Sequence, residues 1–465
     1  MKKRLTAALL IFLANPIGPS YGQSEPPLNF LDELMLSRAL LGAQQDRFGP
    51  LDSRLVEPLE QLADELTLSG KFDEAHALLD RAMQIARVED GLYTETQRPL
   101  LEKKIENFAN RGDWDSARKG MEHLLWLYTN KSLRIDQLLI DDLLELSRMH
   151  LRAFAEDYSS WQGYHFRQSS RIRWLAIGVS ESAWGRTDER LVPIIYEQLR
   201  QLHLQTVALR RGGSTSYSLR QVVPGSDIIL GRSDVNKNFY LTGIGLVDNL
   251  ISIYAGSEEP DLEAIAMAKV YLADWHILYN KPQVAIETYQ QAYQELLATG
   301  VDATLANELF NQPIVIPDIE FYASVEAAVV PQRNRMVTIG EESSDAYLSF
   351  SEWSVALPNV RNPIPSNATE AAESNFALFS FSLAGVNEVS SWYSHRFSST
   401  VNMIQQEELL EYHLEFSPEK GRLLEKLKSL TFRPRLVDGE PQPARGRLKY
   451  NLAKGTSSDS LKARP

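Results

Sequence analysis

The chain has 465 residues, 43% of them hydrophobic, no cysteine and a formal net charge of −13. That is enough apolar matter for two or three cored domains, while the missing cysteine excludes a disulfide framework, thiolate metal sites, thiol catalysis and a lipidated cysteine anchor. The charge is uneven: from Ser417 to Pro465, 12 Lys and Arg stand against 5 Asp and Glu, so an acidic body that would repel nucleic-acid phosphate carries a basic tail.

In chain order, Lys2, Lys3 and Arg4 precede an apolar run, Leu5 to Ala14, and a turn-rich stretch that ends at Gly22. This is the pattern of a cleavable signal peptide over residues 1–22, and it implies an exported, periplasmic protein. An uncleaved anchor is the alternative, but the run is short for a bilayer span and Pro16 and Pro19 follow it. No later stretch reads as an integral membrane span, so none is expected in the mature chain. Helical periodicity begins near Phe30, after a Pro-containing linker. Leu62 to Ala82 then places Leu62, Ala63 and Leu66 before a Gly70-Lys71-Phe72 turn, and Ala75, Leu79 and Ala82 after it. The spacing predicts a helical hairpin whose small residues let the two helices approach closely.

A second copy runs from Leu100 to Leu125, with Gly112 and Trp114 matching Gly70 and Phe72. These residues resemble the tetratricopeptide (TPR) repeat. The resemblance implies an α-solenoid of helical hairpins over residues 23–310, acting by binding proteins. The copies stand 42 residues apart, against about 34 in a standard repeat, so longer helices or connections are expected. Ile135 to Phe154 reads as another helix, and Leu191 to Leu209 as one more. Between them, Tyr158 to Trp184 is rich in aromatics and arginine, more in keeping with core and rim than with a ligand site. Arg210 to Lys237, with its glycines and Pro224, reads as an inserted loop. A late hairpin puts Asn280 where Gly70 stood and opens its second helix at Pro282.

From Asn311 the character changes. Pro313 to Val330, Ala346 to Leu357 and Phe376 to Leu383 read as strands, as does Val386 to Phe397 beyond a Pro358 to Asn367 linker. Residues 311–374 are therefore expected as a strand-rich connecting region. Ser417-Pro418-Glu419 should open a helix with Leu423, Leu424, Leu427 and Leu430 on its core face. Strands are then expected at Thr431 to Arg435 and Gly446 to Leu452, around an Asp438–Gly439 turn. Phe432-Arg433-Pro434, the later Gly439-Glu440-Pro441 and the closing strand are similar to the C-terminal domain of TonB-type proteins. That resemblance covers 375–453 and implies a small sheet with one helix that binds partners by strand addition. Residues 454–465 form a basic tail.

Enzymatic chemistry is thin. The 8 histidines show no metal-ligand spacing, and neither a phosphate-binding G-x-x-x-x-G-K nor a G-x-S-x-G occurs. Thr242-Gly243-Ile244-Gly245 lacks the third glycine of a dinucleotide loop and suits close helix packing better. No cofactor, metal site or catalytic residue is expected, so the chain reads as a non-enzyme. Binding chemistry is more legible. By analogy with TPR repeats, Glu57, Glu60 and Asp64 on one first helix and Glu102 and Glu106 on the next would line an acidic groove; a merely solvated face is the alternative. Arg445, Arg447 and Lys449 alternate with Leu448, Tyr450 and Leu452, and as an edge strand this could pair with a partner or simply deter aggregation. The expected function is that of an exported protein-binding scaffold for basic or extended segments of envelope proteins. A TonB-like accessory of outer-membrane transport and an enzyme of unknown class are the alternatives. Docking of the basic tail in the acidic groove is a further possibility.

Overall fold

A computed structural model describes residues 30–91, 96–130, 135–221, 228–339, 345–351, 376–383, 404–413, 420–428 and 430–451. Residues 1–22, the 358–367 linker, the strand expected at 386–397 and the tail 454–465 lie outside them. No helix among the described residues is long and apolar enough to cross a membrane. The chain divides into two compact units, 1–107 and 108–465.

The first unit holds α1 (Phe30–Phe48), α2 (Val56–Leu68), α3 (Phe72–Asp90) and the start of α4 (Gln97–Asn110). The α2–α3 hairpin follows from its sequence. Leu59, Leu62, Ala63 and Leu66 of α2 and Ala75, Leu79 and Ala82 of α3 are buried on the facing stripes. Gly70 ends α2 in the left-handed region, φ +76°, where it costs nothing sterically. Its N–H donates to the Thr67 carbonyl, and that of Lys71 donates to Leu66, satisfying two of the carbonyls a helix end leaves open. Ser37 of α1 reaches Glu65 at 2.8 Å, and Asn107 of α4 donates to the Phe72 carbonyl at 2.8 Å.

The second unit continues with α5 (Trp114–Asn130), α6 (Gln137–Glu156), α7 (Gln162–Trp184), α8 (Leu191–Arg211), α9 (Gly213–Arg220), α10 (Arg232–Ala255), α11 (Leu262–Leu278), α12 (Pro282–Ala298) and α13 (Ala303–Asn311). The turn at Gly70 recurs. Gly112 donates to Ala109 and Asp113 to Phe108; Asn280 donates to Ile277 and Lys281 to His276. Asn280 takes φ +60°, a conformation that Asn tolerates better than most residues. In every copy the residue five after the turn, Ala75, Ala117 or Ala285, is fully buried. The repeated unit is thus visible in backbone hydrogen bonds as well as in residue types.

The expected loop at 210–237 is partly helical. α9 occupies Gly213–Arg220 and lies so close to α7 that a Cβ on Gly163 would sit 2.2 Å from that of Ser218; residues 222–227 are not described. Gly243 of α10 has the packing role expected of it, since an added Cβ would fall 2.1 Å from the Trp275 ring. α11 is buried nearly all round, as expected of a helix with neighbours on every side.

Residues 312–335 also differ from expectation. Instead of a continuous strand region, only β1 (Val315–Ile316) is extended, and α14 (Val325–Asn334) follows. Ser324 caps α14 through the Ala327 N–H, with Glu326 in its first turn, and these end signals outweigh the local Val content. β2 (Met336–Thr338), β3 (Ala346–Ser351), β4 (Phe376–Leu383), β5 (Ile404–His413) and β9 (Ala444–Asn451) form one sheet in the order β2-β3-β9-β4-β5. Strands from both sides of residue 375 therefore build a single layer. α15 (Lys420–Lys428) covers one face with Leu423 and Leu427, against Phe379, Phe381, Leu448 and Tyr450. β6 (Thr431–Phe432) pairs with β1, and β7 (Arg435–Val437) with β8 (Glu440–Gln442) across the Asp438–Gly439 turn.

The end of the chain is fastened to the last helical hairpin by buried polar groups. Arg433, inside the Phe-Arg-Pro motif, donates from Nε and Nη2 to Asp274 of α11 at 2.9 and 2.5 Å, and Tyr289 of α12 donates to the same carboxylate at 2.5 Å. The side chains of Arg433 and Asp274 are 2% and 3% exposed. Burial opposes the guanidinium charge, but the Asp274 carboxylate outweighs it and lifts the Arg433 pKa. Asn307 of α13 clasps the β7–β8 turn by exchanging hydrogen bonds with Asp438.

Candidate functional site

α2 carries Glu57, Glu60 and Asp64 at positions i, i+3 and i+7, which share one side of a helix. Glu57 and Asp64 are exposed and Glu60 half-buried; on α4, Glu106 is exposed and Glu102 half-buried. The structure brings two of these five together around a cation that the sequence reading overlooked. Lys103 of α4 places Nζ 2.7 Å from Glu60 and 2.6 Å from Asp64. Partial burial opposes its charge, but the two carboxylates prevail and raise its pKa. Gln61 donates to Glu57 at 3.4 Å. The face is therefore acidic but already holds one ammonium group. An alternation of acid and base on successive first helices was the available signal, and it needs the α2–α4 adjacency to be read.

The strand that carries Arg445, Arg447 and Lys449 is interior to its sheet, not the edge that the sequence left open. β9 is the middle strand of five. It pairs antiparallel with β4 along its whole length and parallel with β3 from Leu448 to Asn451. A strand becomes interior when long-range pairing supplies both neighbours, and β3 lies about a hundred residues upstream, which no local pattern reveals. Arg447 ion-pairs with Asp345 and sits 5.7 Å from the Tyr347 ring, and Lys449 lies 4.7 Å from the Phe376 ring. Arg445 is exposed and, with Arg447, lines a hollow of about 1030 Å³.

The aromatic and arginine stretch divides into core and rim. Phe166, His165 and Arg173 are buried, while Tyr158, Trp161 and Trp174 stay exposed. At its centre Asp157 accepts from His165 Nε2 at 2.9 Å and from Arg118, and His165 Nδ1 lies 3.0 Å from His150 Nδ1. The relay resembles acid–base machinery, yet the side chains of Asp157 and His165 are completely buried, so no substrate can reach them. Among the described residues no group of three or more His, Asp or Glu could hold a metal ion.

No family model and no curated protein matches the chain. Solved structures do. A protein of Podosopora anserina described as a putative kinesin light chain with nearly identical TPR-like repeats is 12% identical at a TM-score of 0.31, over 54% of this chain and 98% of that one; a point variant of that protein gives the same values. BtubC (BKLC) from P. vanneervenii is 14% identical at a TM-score of 0.30, over 58% of this chain and 89% of its own. At these scores the matches carry nothing about function. The TPR-like character of the helical part rests on this chain's own recurring turns and buried alanines.

Proposed function

We propose that the chain is an exported, non-catalytic scaffold that binds basic or extended segments of other proteins through the acidic side of α2 and α4. The observation that supports this most directly is Lys103. Its Nζ sits between Glu60 and Asp64 at hydrogen-bond distance from both, so the face has geometry suited to an ammonium group, and an incoming lysine would make the contacts the chain now makes with itself. The test is titration of the full chain with a lysine-rich peptide at rising salt. Affinity should fall with ionic strength, because partly exposed charges are screened. It should fall again when Glu57, Glu60 and Glu102 become Lys, and rise with Lys103→Met, which vacates the two carboxylates. Affinity indifferent to salt and to both variants would reject the proposal.

Export rests on residues 1–22 and is tested separately by fractionating cells for a shortened, periplasmic form. The TonB-like reading has less support, since strand addition along Leu448–Asn451 of β9 would require displacing β3 or β4, and only Ala444–Arg447 have β4 alone as a paired neighbour among the described residues.

A further inference from the structure

A hollow of about 460 Å³ lies between α13, α14 and β7. Its floor is apolar, formed by Ile314, Val329, Met336, Leu348, Leu436 and Val437. Two donors on its wall lack acceptors. The Arg435 guanidinium has neither a hydrogen bond nor an ion pair among the described residues, and its Nε is buried. Gln332 of α14 is 9% exposed, and its Nε2 is buried without an acceptor. Such orphaned donors are a standing cost in the free protein, relieved when an acceptor arrives.

The other charged groups on the wall are already engaged. Arg333 of α14 holds Glu308 of α13 through two hydrogen bonds, at 2.5 and 2.6 Å, so that pair adds no net charge. Asn307 is occupied by Tyr293 and Asp438. What remains is one positive charge, an unpartnered amide N–H, the exposed side chains of Thr304, Asn311 and Gln312 and an apolar floor, in a volume within the usual range of about 300–1,000 Å³ for small-ligand sites. A phosphate or dicarboxylate would bring two charges against one and leave the floor uncovered.

We propose that this hollow binds a monocarboxylate with an apolar body, its carboxylate accepting from Arg435 and Gln332 and its body lying on Val329, Met336 and Leu348. Two sources share this chemistry: a free aliphatic acid and the C-terminal carboxylate of a peptide ending in an apolar residue. Calorimetric titration of the full chain with hexanoate, and with acetyl-Ala-Leu bearing a free or an amidated C-terminus, separates them. At least one acid should bind, the amide should not, and the tighter acid identifies the source. Arg435→Gln and Gln332→Leu should each weaken binding about tenfold or more, as loss of a charge-assisted hydrogen bond does. If Arg435→Gln fails to fold, Gln332→Leu, which keeps the charge and nearly the volume, decides. No binding of either acid at millimolar concentration, equal binding of the amide, or binding unchanged in the folded variants would each overturn the proposal.

Discussion

Replacing Arg433 with Met should cost the second unit about 3–5 kcal/mol, the range for breaking a buried ion pair by removing one partner. The cost comes from what is left behind. Asp274, 3% exposed, would keep only the Tyr289 hydroxyl as donor, with its other oxygen facing the space the guanidinium filled. Removing the charge as well should recover most of the loss, because a buried pair and a well-packed apolar replacement of similar size differ little in stability. Arg433→Met with Asp274→Leu should therefore lie well above either single variant, with about 1–3 kcal/mol still missing for the orphaned Tyr289 hydroxyl until Tyr289→Phe removes it. Urea unfolding followed by circular dichroism, read as a double-mutant cycle, measures each step. A single variant that loses less than about 1 kcal/mol, or a double variant that loses the sum of both singles, would refute the account of Arg433 as a buried lock.

Further outcomes follow from other positions. Gly243→Ala should destabilise by about 1–3 kcal/mol through overpacking against Trp275, whereas Gly245→Ala, with open space around it, should be neutral or stabilising by up to about 1 kcal/mol; equal effects at the two sites would remove the packing role given to Gly243. Asn280→Gly should leave the melting midpoint nearly unchanged, while Asn280→Val should lose about 1–2 kcal/mol, since the turn needs positive φ. Burial, then the neighbouring His165, holds His150 at about 3, and burial with Arg210 holds His203 at about 3. Below the unfolded value near 6.5 the unfolded chain takes up protons that these folded histidines refuse. Stability present above that pH is therefore lost as pH falls from 6.5 toward 3, by about 1.4 kcal/mol per pH unit for each histidine. His150→Gln should flatten the slope by about one proton between pH 6.5 and 4.5, and an unchanged slope in urea titrations would show that His150 does not contribute.

The parts of the fold that were legible in the sequence are those specified within a few residues. Gly70, Gly112 and Asn280 mark turns because positive φ restricts which residues fit, and the leucines of α15 mark its buried face because a helix repeats every 3.6 residues. The Asp438–Gly439 turn belongs to the same class. α9 was missed because its flanking glycines read as loop and no side chain caps it, and α14 because its β-branched content outweighed the Ser324 cap. The edge assignment of β9 failed because strand order depends on partners that can lie anywhere in the chain. The acidic side of α2 and α4 follows from analogy with TPR repeats together with charge, and Lys103 escaped notice because the helix-to-helix register that brings it to Glu60 and Asp64 is not local. The hollow at Arg435 left no sequence signal, since an unpartnered arginine looks like any other until its surroundings are known.

The 159-residue separation between Asp274 and Arg433 bears on how the chain matures during synthesis. α11 and α12 leave the ribosome long before residue 433 does, and they cannot bury Asp274 favourably until Arg433 arrives, so the hairpin must remain open or hydrated at that point in the interim. An arrested or clipped chain that lacked Arg433 would leave the Asp274 carboxylate of α11 without its buried counter-ion, so the hairpin would reach its final packing only once the chain beyond residue 433 is made.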